Sequence, residues 1–241
     1  MKTLVGVHLH GPDKTDLNRL MEERYPVLLM LDSERGHYLG TIMAEYRRKG
    51  WPDPRIVIRQ HQVPQLRGFH EWRDGGDWRR EIEDHADKMI GIANEIHDAF
   101  GIWCEAIAWN ETNLRLEESG GHSREQFEYC ALAFPVYYQR VKAACPEVLV
   151  HWPAWSPGNR DDDDRWVPNE QERAEGMETV IWGYDGISLC AEAIELADIV
   201  DIHLYLGSVW DSGSYWGSRR ALRPVGERDE FDLGGIVTRF P

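Results

Sequence analysis

The sequence has little cysteine, a deficit of positive charge and no long apolar run. Four cysteines (Cys104, Cys130, Cys145, Cys190) are scattered over 241 residues without a CxxC pair. That argues against a disulfide framework and a thiolate metal site, and makes core thiols in a reducing compartment the expectation. There are 27 Lys and Arg against 42 Asp and Glu, a formal net charge of −15. A nucleic-acid binder shows a basic face, and an anionic membrane surface also attracts basic segments, so neither partner is expected. No stretch approaches the roughly 20 apolar residues of a membrane span. The opening MKTLVGVHLHG is too short for a signal segment with its cleavage site, and a cytoplasmic location follows as the expectation. Neither GxGxxG nor GxxxxGKS occurs, so a nucleotide fold has no motif support, and no cofactor is expected.

What is present is alternation. Short apolar runs at residues 4–10, 27–31, 55–59, 102–108, 148–150 and 199–204 read as strands. Between them lie helical patterns at 15–24, 36–49, 77–100, 123–144 and 186–196. Asp77 reads as a cap, with Ile82, Met89, Ile90, Ala93, Ile96 and Phe100 as the buried face of its helix. Ser123 and Gln126 form a capping box. Residues 62–76, rich in Gly, Pro and charge, read as a long loop.

Six strand–helix units in one direction imply parallel strands with helices outside. The polar residues gather after every strand rather than at one switch point, which suits a closed barrel better than an open sheet. The expectation is one domain over residues 1–241, a TIM-type (β/α) barrel. Residues 215–222 supply a short helix and 235–239 a seventh strand, with nothing left for an eighth. An incomplete barrel has an open edge, so a homo-oligomer covering that edge is expected.

The strand ends gather His8, His10, Asp32, Arg59, His61, Asn110, Glu111, His151, Trp152, Asp201, His203 and Tyr205. Glu111 follows the apolar run that ends in Trp109 and Asn110. A carboxylic acid walled by an indole and held by amides can have the raised pKa of a general acid. In this order the chain resembles clan A of the glycoside hydrolases. The resemblance rests on Asn110-Glu111 after strand four, on the stretch Trp152-Pro153-Ala154-Trp155-Ser156-Pro157-Gly158 after strand five, and on a sixth strand ending in His203 and Tyr205. It runs from about Leu4 to Tyr205, by order of elements more than by identity. It implies a TIM barrel that hydrolyses a β-linked carbohydrate with retention. Glu111 is then the acid/base and Asn110 holds a sugar 2-hydroxyl, with His10, Arg59, His151, Trp152, Trp155, His203 and Tyr205 around the substrate. The clan keeps its nucleophile Glu at the end of strand seven. Here the matching stretch reads Ile236-Val237-Thr238-Arg239. Glu227, or Glu230, takes that role if strand seven is residues 222–227, and otherwise the protein binds carbohydrate without cleaving it.

A second chemistry competes. His8 and His10 on strand one, with His151 and His203 on strands five and six, resemble the metal-site order of amidohydrolases, where imidazoles hold zinc and leave room for an activated water. Against it, no eighth strand brings the usual Asp, and histidines beside a catalytic carboxylate commonly serve as hydrogen-bonding groups, so no metal is expected. The four carboxylates at 161–164 read as a solvated loop, with calcium as the alternative. Trp152, Trp155 and Trp166 suit sugar stacking or core-rim packing equally. His85 and His97, inside the long helix, read as structural. Arg59 is placed to pair with the acid/base carboxylate, which lowers a carboxyl pKa unless burial dominates.

Overall fold

The computed structural model describes residues 6–9, 22, 24–33, 35–60, 63–109, 124–155, 165–166, 170, 174, 180–181 and 184–202. The fold is α/β. Six strands form one parallel sheet: β1 (Gly6–Leu9), β2 (Val27–Leu31), β3 (Arg55–Arg59), β4 (Glu105–Ile107), β5 (Leu149–Trp155) and β8 (Ile199–Ile202). Each pairs in parallel with its predecessor in that order. A doubly wound sheet reverses its order at a switch point; these six strands run without reversal. Helices α1 (Arg35–Arg48), α2 (Val63–Arg73), α3 (Trp78–Phe100), α4 (Arg124–Ala144) and α5 (Tyr184–Leu196) connect them. Consecutive helices from α2 to α5 pack side by side. A two-stranded antiparallel pair, β6 (Arg165–Trp166) with β7 (Val180–Ile181), stands between β5 and α5. No helix among the described residues is long and apolar enough to cross a membrane.

Parity along the strands assigns two faces. Leu28, Met30, Ile56, Ile58, Ala106, Val150 and Trp152 face the helices and join one core with Ile42, Met43, Ile82, Met89, Ile96, Phe134 and Val141. Each such aliphatic side chain contributes about 1.5–3 kcal/mol on burial. The alternate positions Val57, Arg59, Glu105, Ile107 and His151 are buried as well, so both faces of the central strands are covered.

The helix α3 runs where its cap and periodicity place it. Asp77 accepts from the Arg80 amide, and Gly101 closes the helix at φ 70°. Its buried face is Ile82, His85, Ala86, Met89, Ile92, Ala93 and Ile96; Ile90 and Phe100 only flank the core. At the other end of the sheet, Lys142 Nζ bonds the Pro146 and Val148 carbonyls at 2.7 and 3.0 Å and Asp198 at 3.2 Å. The Asp198 carboxylate in turn accepts from the Val150 amide at 2.9 Å, tying the starts of β5 and β8 together.

Residues 63–73 are helical rather than a loop. Pro64 sits in the first turn, where its missing N–H costs nothing. Phe69, Trp72 and Trp78 surround Tyr129 of α4 at ring separations of 5.8, 5.9 and 5.9 Å. Gly68 is required there, since a Cβ would meet the Tyr129 hydroxyl at 2.0 Å. The expected helix at 15–24 is described only at residues 22 and 24, and the expected elements at 215–222 and 235–239 lie outside the described residues.

The Gly68 contact predicts a coupled pair. Gly68→Ala costs on the order of 1–3 kcal/mol by overpacking. Tyr129→Phe removes a buried hydroxyl that has no hydrogen-bond partner among the described residues, so alone it is near neutral. Combined with Gly68→Ala it recovers part of the loss. Urea denaturation of the two single variants and the double variant measures the coupling; strict additivity would refute it.

Candidate active site

Parallel strands leave their last carbonyls without a ladder partner once the chain departs. At the end of β4 both are satisfied from outside the strand. The Gln60 amide donates to the Ile107 carbonyl at 3.1 Å. His85 of α3 places Nε2 2.5 Å from the Ala108 carbonyl. A carbonyl only accepts, so the imidazole carries its proton on Nε2. Gln60 Nε2 donates to the His85 carbonyl at 2.9 Å, and Tyr137 Oη donates to Gln60 Oε1 at 2.5 Å. Burial, outweighing the bond to Ala108, lowers the His85 pKa to about 4. Trp109 follows, fully buried, with its ring edge-on to Phe134 at 6.3 Å and to Tyr137 at 6.0 Å. Two strands over, the end of β2 carries the buried carboxylate of Asp32, which Lys88 of α3 pairs.

A second polar cluster sits at the start of β4 on the sheet face turned away from the helices, the inner face. Arg55 holds Glu105 through Nε–Oε1 at 2.5 Å and Nη2–Oε2 at 2.8 Å. His151 Nε2 donates to Glu105 Oε2 at 2.9 Å. Burial pushes the Glu105 carboxyl up, but the bonds from His151 and Arg55 prevail and hold it below its usual value. No motif singled out Glu105; its mark in the sequence is a charge inside an otherwise apolar run.

The strand-end residues therefore separate. Arg59 ends β3 on the inner face and is buried. His151 shares that face, with its imidazole turned toward Glu105 at the opening end of the strand. Trp152 is its neighbour in sequence and so points the other way. It is buried, packed on Phe134 at 4.9 Å, and of its two readings the core one describes this packing. His85 does more than fill space, because it bonds the end of β4. His8, Trp155, Trp166 and Asp201 have described backbone only, in β1, β5, β6 and β8. His10, His61, Asn110, Glu111, His203, Tyr205, Glu227, Glu230 and Arg239 lie outside the described residues, as do the carboxylates at 161–164. Among the described residues no three His, Cys, Asp or Glu side chains assemble as metal ligands. All four cysteines are buried and free, and burial pushes the Cys104 thiol up to about 12.

Neither a family model nor a curated relative matches the sequence. Among solved structures, that of the AHE enzyme from Alicyclobacillus herbarius is similar at 14% identity and a TM-score of 0.36, over 66% of this chain and 39% of that one. A likeness at that level assigns neither fold nor activity, and the chain spans well under half of that protein's length.

Two acid sensitivities follow, in different windows. The folded His85 pKa lies below that of an unfolded histidine, so between about pH 6.5 and 4 the unfolded chain binds the extra proton. Stability is lost as pH falls through that window, by up to about 3 kcal/mol. In His85→Gln this component disappears, and pH-resolved thermal melts show the flattening. The Glu105 carboxyl is lowered instead, so its contribution is intact above the ordinary carboxyl pKa and lost only at lower pH. At neutral pH, Glu105→Ala costs on the order of 3 kcal/mol because it strands the buried His151 imidazole and removes the partner of Arg55. Arg55→Ala costs less, since its side chain is 44% exposed. Equal losses in chemical denaturation would contradict this ranking.

Proposed function

We propose that this chain is a glycoside hydrolase built on a partial (β/α) barrel, cleaving a β-linked carbohydrate with retention. Glu111 is the acid/base, and Asn110 orients the sugar. The observation that carries this reading is the setting of β4. It is a buried central strand of a parallel sheet, and its last carbonyls are fixed by Gln60 and His85 immediately ahead of Asn110-Glu111. Barrel enzymes keep their chemistry at the carboxyl ends of strands, where side chains on the following residues meet substrate. Arg59 reaches the same edge from the inner face. Glu227 is the proposed nucleophile, and retention requires its carboxyl about 5–5.5 Å from that of Glu111. The engagement of His151 Nε2 by Glu105 weighs against a zinc site built on His8, His10, His151 and His203.

The test is Glu111→Gln assayed on a panel of 4-nitrophenyl β-glycosides. Turnover falls about 10²–10⁴-fold while binding of the parent sugar persists. Wild-type protein that binds sugar without turning it over leaves a carbohydrate-binding barrel. Activity that survives the substitution but is abolished by a chelator sinks the glycosidase in favour of a metal hydrolase.

A further inference from the structure

We infer that His85 is a positioning residue for the acid/base: its imidazole clamps the end of β4 and thereby aims the residues that follow it. This deepens the glycosidase proposal and rests on it for its catalytic consequence. The physical case is independent of the substrate. The Ala108 carbonyl lies beyond the last residue of β4, where the sheet ladder no longer serves it. His85 reaches it from the middle of a 23-residue helix, which is among the most rigid supports a fold offers. The reach is itself held in place. Gln60 ties the His85 backbone to the end of β3, and the same residue's amide takes the Ile107 carbonyl. Tyr137 fixes the Gln60 side chain from α4 and packs beside the His85 ring at 5.6 Å. The clamp thus draws on α3, α4 and β3 at once.

Its other nitrogen argues that the arrangement is specific. His85 Nδ1 is buried and has no hydrogen-bond partner among the described residues. A buried polar atom left unpaired is costly, and an apolar side chain would fill the same space without that cost. The bond from Nε2 to the strand end is what the histidine supplies. The charged groups facing it are Lys88 on its own helix and Asp32 from the end of β2, which pair with each other. The imidazole therefore holds the strand end as a neutral donor and brings no charge to a nearby carboxyl.

The experiment compares wild type, His85→Phe, which keeps ring bulk without the donor, and His85→Gln, which restores a donor of similar reach. Two readouts are taken at pH 7: hydrogen exchange over residues 105–112, and kcat and KM on the best 4-nitrophenyl β-glycoside. In His85→Phe, exchange over that segment accelerates about tenfold while β2 and the far end of α3 stay protected. In the same variant kcat falls about tenfold with KM nearly unchanged, as expected when geometry rather than binding is lost. His85→Gln recovers both. If His85→Phe does not fold, Tyr137→Phe removes the hydroxyl that fixes Gln60 and gives the same changes at smaller size. Local exchange that matches wild type in a folded variant overturns the clamp. So does a variant with a lower Tm whose kcat is unaltered. Wild-type protein without glycosidase turnover defeats the functional reading alone, and the exchange result still decides the clamp.

Discussion

The Ala108 carbonyl is the constraint on which the carboxyl end of β4 and its surroundings depend. A strand that leaves a parallel sheet must hand its last polar groups to something other than the ladder. Bulk water does not reach it here, because Ala106, Ile107, Ala108 and Trp109 are all buried. The solution is a histidine from the longest of the described helices, supported by a glutamine and a tyrosine. Given that solution, much of the local structure follows. His85 has to be on the buried face of α3, so α3 has to lie over the ends of β3 and β4. Tyr137 has to meet Gln60, so α4 has to pack alongside. Trp109 then has its place against Phe134 and Tyr137.

The opening end of β4 is treated in the opposite way. Glu105 is kept ionised by two donors and lies on the inner face, where Arg55 still touches solvent. In barrels this end serves stability. Its buried carboxylate is tolerable only because the partners are both present; losing one leaves a charge that burial penalises heavily. One short strand thus carries a charge-assisted cluster at its start and a neutral hydrogen-bond clamp at its end.

Strand order and most helices were legible from residue patterns. β2 and β3 are aliphatic runs bounded by proline and charge, and α3 announces itself through Asp77 and the apolar spacing that follows it. α2 was not legible. The glycine and proline that suggest a loop both suit this helix: Gly68 makes room for the Tyr129 hydroxyl, and Pro64 lies in the first turn, where no N–H is needed. At the strand ends, the positions were readable but the directions were not. His151 and Trp152 are adjacent on a strand and cannot face one pocket, because side chains alternate. One goes to Glu105 and the other to the helix core. His85 was legible as structural from its place inside a helix, but nothing in the pattern shows that it bonds a strand end twenty-three residues later. Such long-range pairings leave no periodic trace.

The electrostatics of the β4 end bear on what a carboxyl there can do. A general acid needs its pKa raised, and a nearby cation lowers it. His85 is uncharged at neutral pH because burial depresses its pKa to about 4. Lys88 is charged but spends that charge on Asp32. The clamp therefore fixes geometry without pulling a neighbouring carboxyl toward its ionised form, which a lysine in the place of His85 would do. Arg59 is the cation that tells against an acid at this edge, and it stands on the inner face. On the proposed role, separation from Arg59 and apolar surroundings are the two conditions under which a carboxyl following this strand stays protonated long enough to donate.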